Sequence, residues 1–165
     1  MQADETIIPV YDTQGNVIDR KRRDQIDRQN DILKSAMVMV IDPEKNCYVV
    51  KPAQTAYPGL WLPSAATMVR EREQPNEAIK RCLESELGLT EPATFLAERF
   101  AEMGHIKRFL CMYVLEAEYV PRHDPKDSLE VRWVHPHYII SAKEQFAPPV
   151  YHMIDVLKWR LNGCI

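Results

Sequence analysis

The chain has 165 residues, which predicts one domain because a typical domain holds about 100–200 residues. It contains only 5 glycines, against the roughly 12 that average usage would give, and their spacing excludes a glycine-rich phosphate loop. The formal net charge of −3 gives no support for general nucleic-acid binding, which usually needs a basic domain.

Targeting and cysteine patterns point to a reduced compartment. The first ten residues lack the basic and apolar regions of a signal peptide. No apolar run approaches the roughly 20 residues that a membrane helix needs. The 4 cysteines have no Cys-x-x-Cys spacing, so a zinc site is not expected. We therefore expect a cytoplasmic protein with neither a membrane nor a nucleic acid as partner.

The first half of the chain predicts strands, because its apolar runs are short and separated by turn residues. The strands are a hairpin at 7–10 and 17–18, a fully apolar and therefore doubly buried strand at 36–41, and its partner at Cys47–Lys51. The polar residues 22–33 predict a loop or a short helix. Residues 52–63 contain three prolines and Gly59, which excludes a regular helix there.

The second half adds two helices. The better one covers 76–87, since Gln74 and Pro75 form a start signal and Gly88 a stop. Strands are predicted at 95–101, 109–119 and 131–134, and a closing helix at 148–161 from apolar residues at helical spacing. No internal repeat or long linker divides the chain. The order of elements predicts a single mixed α/β domain over residues 1–165.

Glu86 is unusual within the helix predicted at 76–87. At 100° per residue it lies in the middle of the apolar sector, beside Cys82. Burying a carboxylate is costly unless it is paired or binds a metal. Glu86 is therefore either a buried glutamate satisfied by backbone or a basic side chain, or a carboxylate that faces a ligand or metal. On the opposite side, Glu77, Arg81 and Glu84 are spaced for exposed ion pairs.

Residues 58–89 resemble a Nudix box and its lead-in. After Pro58-Gly59-Leu60-Trp61, the family pattern is Gly, five residues, Glu, seven residues, then Arg-Glu-apolar-x-Glu-Glu-x-Gly-apolar. In this chain the named positions hold, in order, Thr67, Glu73, Arg81, Cys82, Ser85, Glu86 and Gly88. The opening glycine and two glutamates are thus replaced, which makes the box degenerate. The resemblance extends over most of the chain and implies a Nudix-type α/β/α sandwich with a mixed β-sheet.

The resemblance also implies a site. In the family, carboxylates at i, i+3 and i+4 hold divalent cations, usually Mg²⁺, that screen a diphosphate and activate water. Here these positions are Cys82, Ser85 and Glu86, which leaves Glu86 as the one metal ligand of a weakened site. Glu73 and Arg81 would match an ion pair that braces the loop to the helix. With Glu86, they are the candidate catalytic residues.

Three further residues are candidates for binding a small diphosphate-containing ligand. Lys51 and Arg70 could contact its phosphates or lie on a solvated face. Trp61 could fill the core or stack on a base or a prenyl group. The loops that would select the substrate, 52–57 and 120–129, carry no motif. A homodimer is compatible with these features.

Isopentenyl-diphosphate isomerases of the Nudix fold form the branch that this chain resembles more closely. They share the Pro-Gly-x-Trp lead-in and the Arg-Cys pair followed by Glu-Leu-Gly. Their catalytic cysteine and a metal-binding histidine fall on Ala66 and Met68, and an acidic pair falls on Lys107 and Phe109. A protonation–deprotonation mechanism needs an acid and a base. We therefore do not expect isomerase activity.

Three functional hypotheses remain. The first is a divergent hydrolase of a nucleotide or other diphosphate-linked substrate, with Mg²⁺ held by Glu86 and by Glu73 or a later carboxylate among Glu98, Glu102 and Glu116. The second is a catalytically inactive Nudix-fold domain that binds a ligand or a protein partner. The third is a structural subunit of an oligomer.

Overall fold

A computed structural model of the protein describes residues 5–120, 130–158 and 161. The predicted hairpin is formed by β1 (Ile7–Tyr11) and β2 (Val17–Arg22). Asp12 fixes its turn, because its carboxylate accepts the backbone N–H groups of Gln14 and Asn16, both at 2.9 Å. The polar segment that follows contains one short 3₁₀ turn, Arg23–Gln25.

A six-stranded mixed sheet forms the centre of the molecule. Its strands are β3 (Leu33–Ile41), β4 (Cys47–Lys51), β5 (Ala65–Met68), β6 (Thr94–Met103), β7 (Ile106–Glu116) and β8 (Glu130–Val134). The order across the sheet is β6-β7-β3-β4-β8, and β5 pairs with the first half of β3. The β3–β7 pair is parallel and the other pairs are antiparallel.

Strand β3 is buried on both faces, as its apolar run predicts. Successive side chains of a strand point to opposite faces, so Ala36 and Val38 pack in one core while Met37 and Met39 pack in the other. Each of these four side chains is at most 2% exposed. Helices cover both cores, which confirms the predicted α/β/α sandwich.

The helices are α1 (Pro75–Cys82), α2 (Pro136–Ser141) and α3 (Pro148–Leu157). Helix α1 starts where predicted, and the Glu77 carboxylate accepts the backbone N–H of Gln74 at 2.9 Å. Directly after α1 the chain continues as a π-type turn, Leu83–Leu87, and the N–H of Gly88 donates to the carbonyl of Leu83. Gly88, at φ 66°, ends the segment in the left-handed region.

Several elements differ from the sequence predictions. β5 and α2 were not predicted, because four and six residues are too few to show a period. Strand β7 ends at Glu116 instead of residue 119, and α3 ends at Leu157 instead of residue 161. Of the predicted substrate loop 120–129, residues 121–129 lie outside the described residues. Within the part of the chain that the structure describes, every helix is too short or too polar to cross a membrane.

Candidate functional site

Glu73 and Arg81 form a bidentate ion pair between the loop after β5 and helix α1. Arg81 Nε donates to Glu73 Oε2 at 2.9 Å, and Nη2 donates to Oε1 at 3.0 Å. Burial raises the pKa of Glu73, but the hydrogen bonds from Arg81 and from the backbone N–H of Arg70 outweigh it and lower that pKa. The predicted exposed ion pairs of Arg81 with Glu77 and Glu84 are wrong, because Arg81 turns to Glu73 instead.

Thr67 stands where the box would open with glycine, and its side chain takes part in the same brace. Arg81 Nη1 donates to Thr67 Oγ1 and Nη2 donates to the carbonyl of Met68, both at 3.2 Å. Thr67 lies in β5 and pairs with Ala36 of β3. One guanidinium therefore joins the sheet, the loop and the helix. Neither member of the Glu73–Arg81 pair lines the cavity that lies beside the helix.

That cavity has a volume of about 660 Å³ and is bounded by β3, β5, β7 and the loop 52–57. Small-molecule sites typically measure about 300–1,000 Å³, so it can hold a nucleotide-sized ligand. Both apolar and polar side chains line it. Among the described residues that line it, three are charged: the acidic Glu86 and two arginines, Arg28 and Arg108.

Glu86 is half-buried and is the one carboxylate on this cavity within the described residues. The thiol of Cys82 donates to Glu86 Oε2 at 3.4 Å. Burial and the neighbouring Glu86 charge raise the pKa of Cys82, and its protonated thiol is the donor in this hydrogen bond. Ser85 is exposed, and its hydroxyl donates to the Cys82 carbonyl at 3.4 Å. The two replaced box positions therefore offer no second carboxylate.

The described residues do not fit a divalent cation held by the protein alone. They contain no group of three or more His, Cys, Asp or Glu side chains that could hold a metal ion. The later carboxylates considered as substitutes do not line the cavity; they are Glu98, which pairs with Lys34 at 3.2 Å, Glu102, and Glu116, which pairs with Lys45 at 3.2 Å. One carboxylate is enough for Mg²⁺ when substrate phosphates supply further oxygens. The site fits a metal only in that shared form.

The three side chains predicted to bind a ligand do not line the cavity. Trp61 is 3% exposed and fills the core, which is one of its two predicted alternatives. Lys51 Nζ lies 4.6 Å from the centroid of the Trp61 ring. Lys51 misses the cavity because strand side chains alternate, and its neighbour Val50 lines the cavity instead. Arg70 belongs to the loop that binds Glu73.

Sequence reasoning missed Arg28 and Arg108, and it did not single out Tyr57 within the predicted substrate loop 52–57; all three residues line the cavity. Arg28 and Tyr57 lie in polar or proline-rich loops without any motif. Arg108 did carry a signal, since it occupies a position on β7 whose same-face neighbours, Ile106 and Leu110, also line the cavity and are apolar. A charged residue on the core-facing side of a strand is as unusual as Glu86 is on its helix.

Comparison with known families decides the classification. The sequence model of the NUDIX domain matches residues 32–157, well over half of the chain. The chain belongs to the Nudix family. Comparison of this Nudix domain with curated proteins gives no match.

Solved structures share the fold of this Nudix domain. The DR0079 protein of Deinococcus radiodurans is 18% identical with a TM-score of 0.76, over 90% of this chain and 97% of that one. The MutT protein of Methanosarcina mazei Go1 is 12% identical with a TM-score of 0.66, over 80% and 96%. The NUDIX domain of Shewanella oneidensis NrtR, solved in complex with ADP ribose, is 14% identical with a TM-score of 0.63, over 84% and 96%. At these identities the likeness shows the fold alone.

Proposed function

We propose that this Nudix domain hydrolyses a nucleotide or another diphosphate-linked small molecule bound in the cavity beside Glu86. One observation carries the proposal. The single glutamate that the box keeps at a metal-binding position lines a cavity of ligand size, and the other charged side chains on that cavity are arginines. A diphosphate complements both features, because its oxygens can share a cation with Glu86 while its charge is attracted to the guanidinium groups.

A divalent cation, Mg²⁺ by family resemblance, would be held by Glu86 together with the phosphates of the substrate. When bound, such an ion screens the diphosphate and lowers the pKa of the attacking water. The chain's own residues hold the site in place. The Cys82 thiol donates to Glu86 and orients its carboxylate, and the Glu73–Arg81 pair fixes the helix against the loop. We assign Glu73 and Arg81 this positioning role.

The NrtR domain supports the substrate class. It was solved with ADP ribose, a molecule with a diphosphate linkage, on the same fold. The shared fold is therefore one on which a ligand with a diphosphate linkage can bind. The homodimer and the cytoplasmic location stay predictions.

A catalytically inactive domain that binds the same kind of ligand or a protein is the second candidate. The replacement of two box carboxylates by Cys82 and Ser85 favours it, because a thiol donor and an exposed hydroxyl give a cation no anionic oxygen. The cavity and its arginines would serve binding equally well without catalysis.

Turnover with and without metal separates the two candidates. The full chain is incubated with nucleoside diphosphates, ADP ribose and prenyl diphosphates in EDTA, in Mg²⁺ or in Mn²⁺. Release of phosphate or nucleoside monophosphate that requires the metal supports the hydrolase. Saturable binding or thermal stabilisation by one of these ligands, with no turnover in either metal, contradicts the hydrolase and supports the binding domain.

Restoring one box glutamate should strengthen the metal site. Ser85 is exposed, and within the described part of the chain its hydroxyl makes one hydrogen bond, 3.4 Å long, to the carbonyl three residues earlier, so Ser85→Glu should cost little stability. We expect Ser85→Glu to tighten Mn²⁺ binding roughly tenfold, because a second carboxylate adds an anionic oxygen ligand. Calorimetric titration of Mn²⁺ in the presence of methylene diphosphonate measures the change.

A matched control exists in helix α2. Ser141 is also exposed and donates to the carbonyl three residues earlier, at 3.3 Å, but it lies in α2, whereas Ser85 is adjacent in sequence to Glu86. Ser141→Glu therefore adds the same charge elsewhere and should leave Mn²⁺ affinity unchanged. Equal tightening in both variants would mean that the gain comes from net charge and not from the box position.

A further inference from the structure

The cavity holds a buried cation that the Nudix box does not explain. Arg108 of β7 is only 8% exposed, and it has no carboxylate within 4.0 Å among the described residues. Its Nη1 donates to the backbone carbonyls of Lys107 at 2.8 Å and Asp31 at 3.3 Å. Burial lowers the pKa of Arg108, yet a guanidinium stays protonated in proteins. A charge buried in this way destabilises the empty protein unless an anion joins it.

A second guanidinium, that of Arg28, lines the same cavity. Its side chain makes no hydrogen bond or ion pair with the described residues. Arg28 sits in a turn fixed by Asp27, whose carboxylate accepts the backbone N–H of Gln29 at 3.0 Å. Burial lowers the pKa of Arg108, and the like charge of Arg28, which lines the same cavity, acts in the same direction. An anion placed between them would offset the repulsion of these like charges.

The same turn positions both arginines. The carbonyl of Asp31, which ends the turn, is the acceptor for Arg108 Nη1. The Asp31 side chain is held in turn by Lys21 Nζ at 2.9 Å and by the backbone N–H of Asp27 at 2.8 Å. The guanidinium of Arg108 is thus held before a ligand arrives, so it loses little entropy on binding, whereas the exposed side chain of Arg28 would be ordered by the ligand.

The third polar group is the hydroxyl of Tyr57. It is buried and has no hydrogen-bond partner among the described residues. Burial raises the pKa of Tyr57 and the charge of Arg108, which lines the same cavity, acts against that rise. An oxyanion bound to Arg108 would offer this hydroxyl an acceptor.

We propose that Arg108, Arg28 and Tyr57 form an anion subsite that binds one phosphate group of the ligand without a metal ion. The inference deepens the proposed function and rests on it for the identity of the ligand as a diphosphate. A guanidinium binds phosphate oxygens in a bidentate manner and stays charged at all relevant pH values. With fewer box carboxylates, the protein can hold fewer metal ions to offset the negative charge of the diphosphate. The two arginines would offset part of that charge instead.

Metal-free binding of inorganic pyrophosphate tests the subsite. Pyrophosphate, phosphate and succinate are titrated by calorimetry into the full chain in EDTA. We expect saturable binding of pyrophosphate, and succinate should bind at least about tenfold more weakly. Arg108→Met should weaken pyrophosphate binding about ten- to a hundredfold, and Arg28→Met about three- to tenfold, because charge-assisted hydrogen bonds are lost. Arg99→Met, which removes a guanidinium paired with Asp155 outside the cavity, should change nothing.

Two further variants guard against loss of fold. Tyr57→Phe removes a hydroxyl that has no partner, so it should leave the melting temperature unchanged or higher while weakening pyrophosphate binding a few-fold. Arg108→Lys keeps the charge and should retain part of the binding that Arg108→Met loses. Unchanged pyrophosphate affinity in both Arg108 variants, no pyrophosphate binding without metal, or equal binding of succinate would each overturn the subsite.

Failure of the subsite can be told apart from failure of the hydrolase. Glu86→Gln should lose metal-dependent turnover but keep metal-free pyrophosphate binding, since Glu86 contributes no attraction to an anion. A wild-type protein that binds pyrophosphate without metal yet cleaves no diphosphate would retain the subsite and contradict the hydrolase. Turnover that persists in Arg108→Met with unchanged KM would contradict the subsite and retain the hydrolase.

Discussion

Glu86→Gln is expected to lower metal-dependent hydrolysis by roughly 10²–10³-fold, because loss of the metal's contribution is worth several kcal/mol of activation free energy. Glu86 is the one carboxylate on the cavity among the described residues, so nothing there can replace it. The amide has the same size, and its oxygen can still accept the Cys82 thiol. The fold should therefore be kept, and kcat/KM at saturating Mg²⁺ together with the melting temperature measures both effects.

Glu84→Gln is the matched control. Glu84 lies in the same π-type turn and carries the same charge, but it is exposed and does not line the cavity. We expect its kcat/KM to stay within about twofold of wild type, as usual for a surface substitution. Equal losses in the two variants would indicate a charge effect, and full activity in Glu86→Gln would remove Glu86 from the site.

Arg81→Met is expected to lower the free energy of unfolding by about 2–4 kcal/mol, or the melting temperature by roughly 10 °C. The Arg81 and Glu73 side chains are only 27% and 14% exposed, so removing the guanidinium leaves a largely buried carboxylate without its bidentate partner. It also releases Thr67 and the carbonyl of Met68. Urea denaturation at neutral pH measures the loss.

The effect should depend on pH. The pKa of Glu73 is lower in the folded protein than its ordinary value of 4.5, so the pair's contribution is fully present above about pH 4.5 and is lost as the pH falls through the folded pKa. The stability gap between wild type and Arg81→Met should shrink below that pH. Arg99→Met breaks an ion pair whose side chains are 36% and 51% exposed, and should cost less than about 1 kcal/mol. A gap that stays constant from pH 7 to 3, or that is no larger than for Arg99→Met, would contradict the bracing role.

The architecture could be predicted where local sequence determines it. The apolar run in β3 predicts a strand that is buried on both faces, as in the middle layer of a sandwich. Gly88 marks the end of the box segment, because glycine readily adopts the left-handed conformation found there, with φ at 66°. β5 could not be predicted, because its four residues show no apolar alternation and its extended conformation depends on pairing with β3. The π-type turn was missed since the wheel assumes a uniform 100° per residue.

Some residues of the candidate site could likewise be predicted from the sequence, and others could not. Glu86 could be found from the sequence because a carboxylate in an apolar sector stands out, and the Glu73–Arg81 contact followed from family resemblance. Arg108 carried a comparable signal as a charged residue between apolar same-face neighbours, but its place beside Arg28 could not be predicted, since the parallel register that puts Leu33 opposite Arg108 brings together segments distant in the chain. The predicted ligand-binding role of Lys51 stays a prediction; the sequence did not show to which face of β4 it points, and its side chain lies over Trp61 and outside the cavity lining.

The most direct test of the central claim is whether Glu86 couples the binding of a divalent cation to the binding of a diphosphate. Mn²⁺ is titrated into wild type and Glu86→Gln, with and without methylene diphosphonate, and the binding of Mn²⁺ to the diphosphonate alone is subtracted. In wild type, Mn²⁺ should bind weakly by itself and at least about tenfold more tightly with the diphosphonate. Glu86→Gln should lose this enhancement, and an equal enhancement in both proteins would contradict a shared metal site at Glu86.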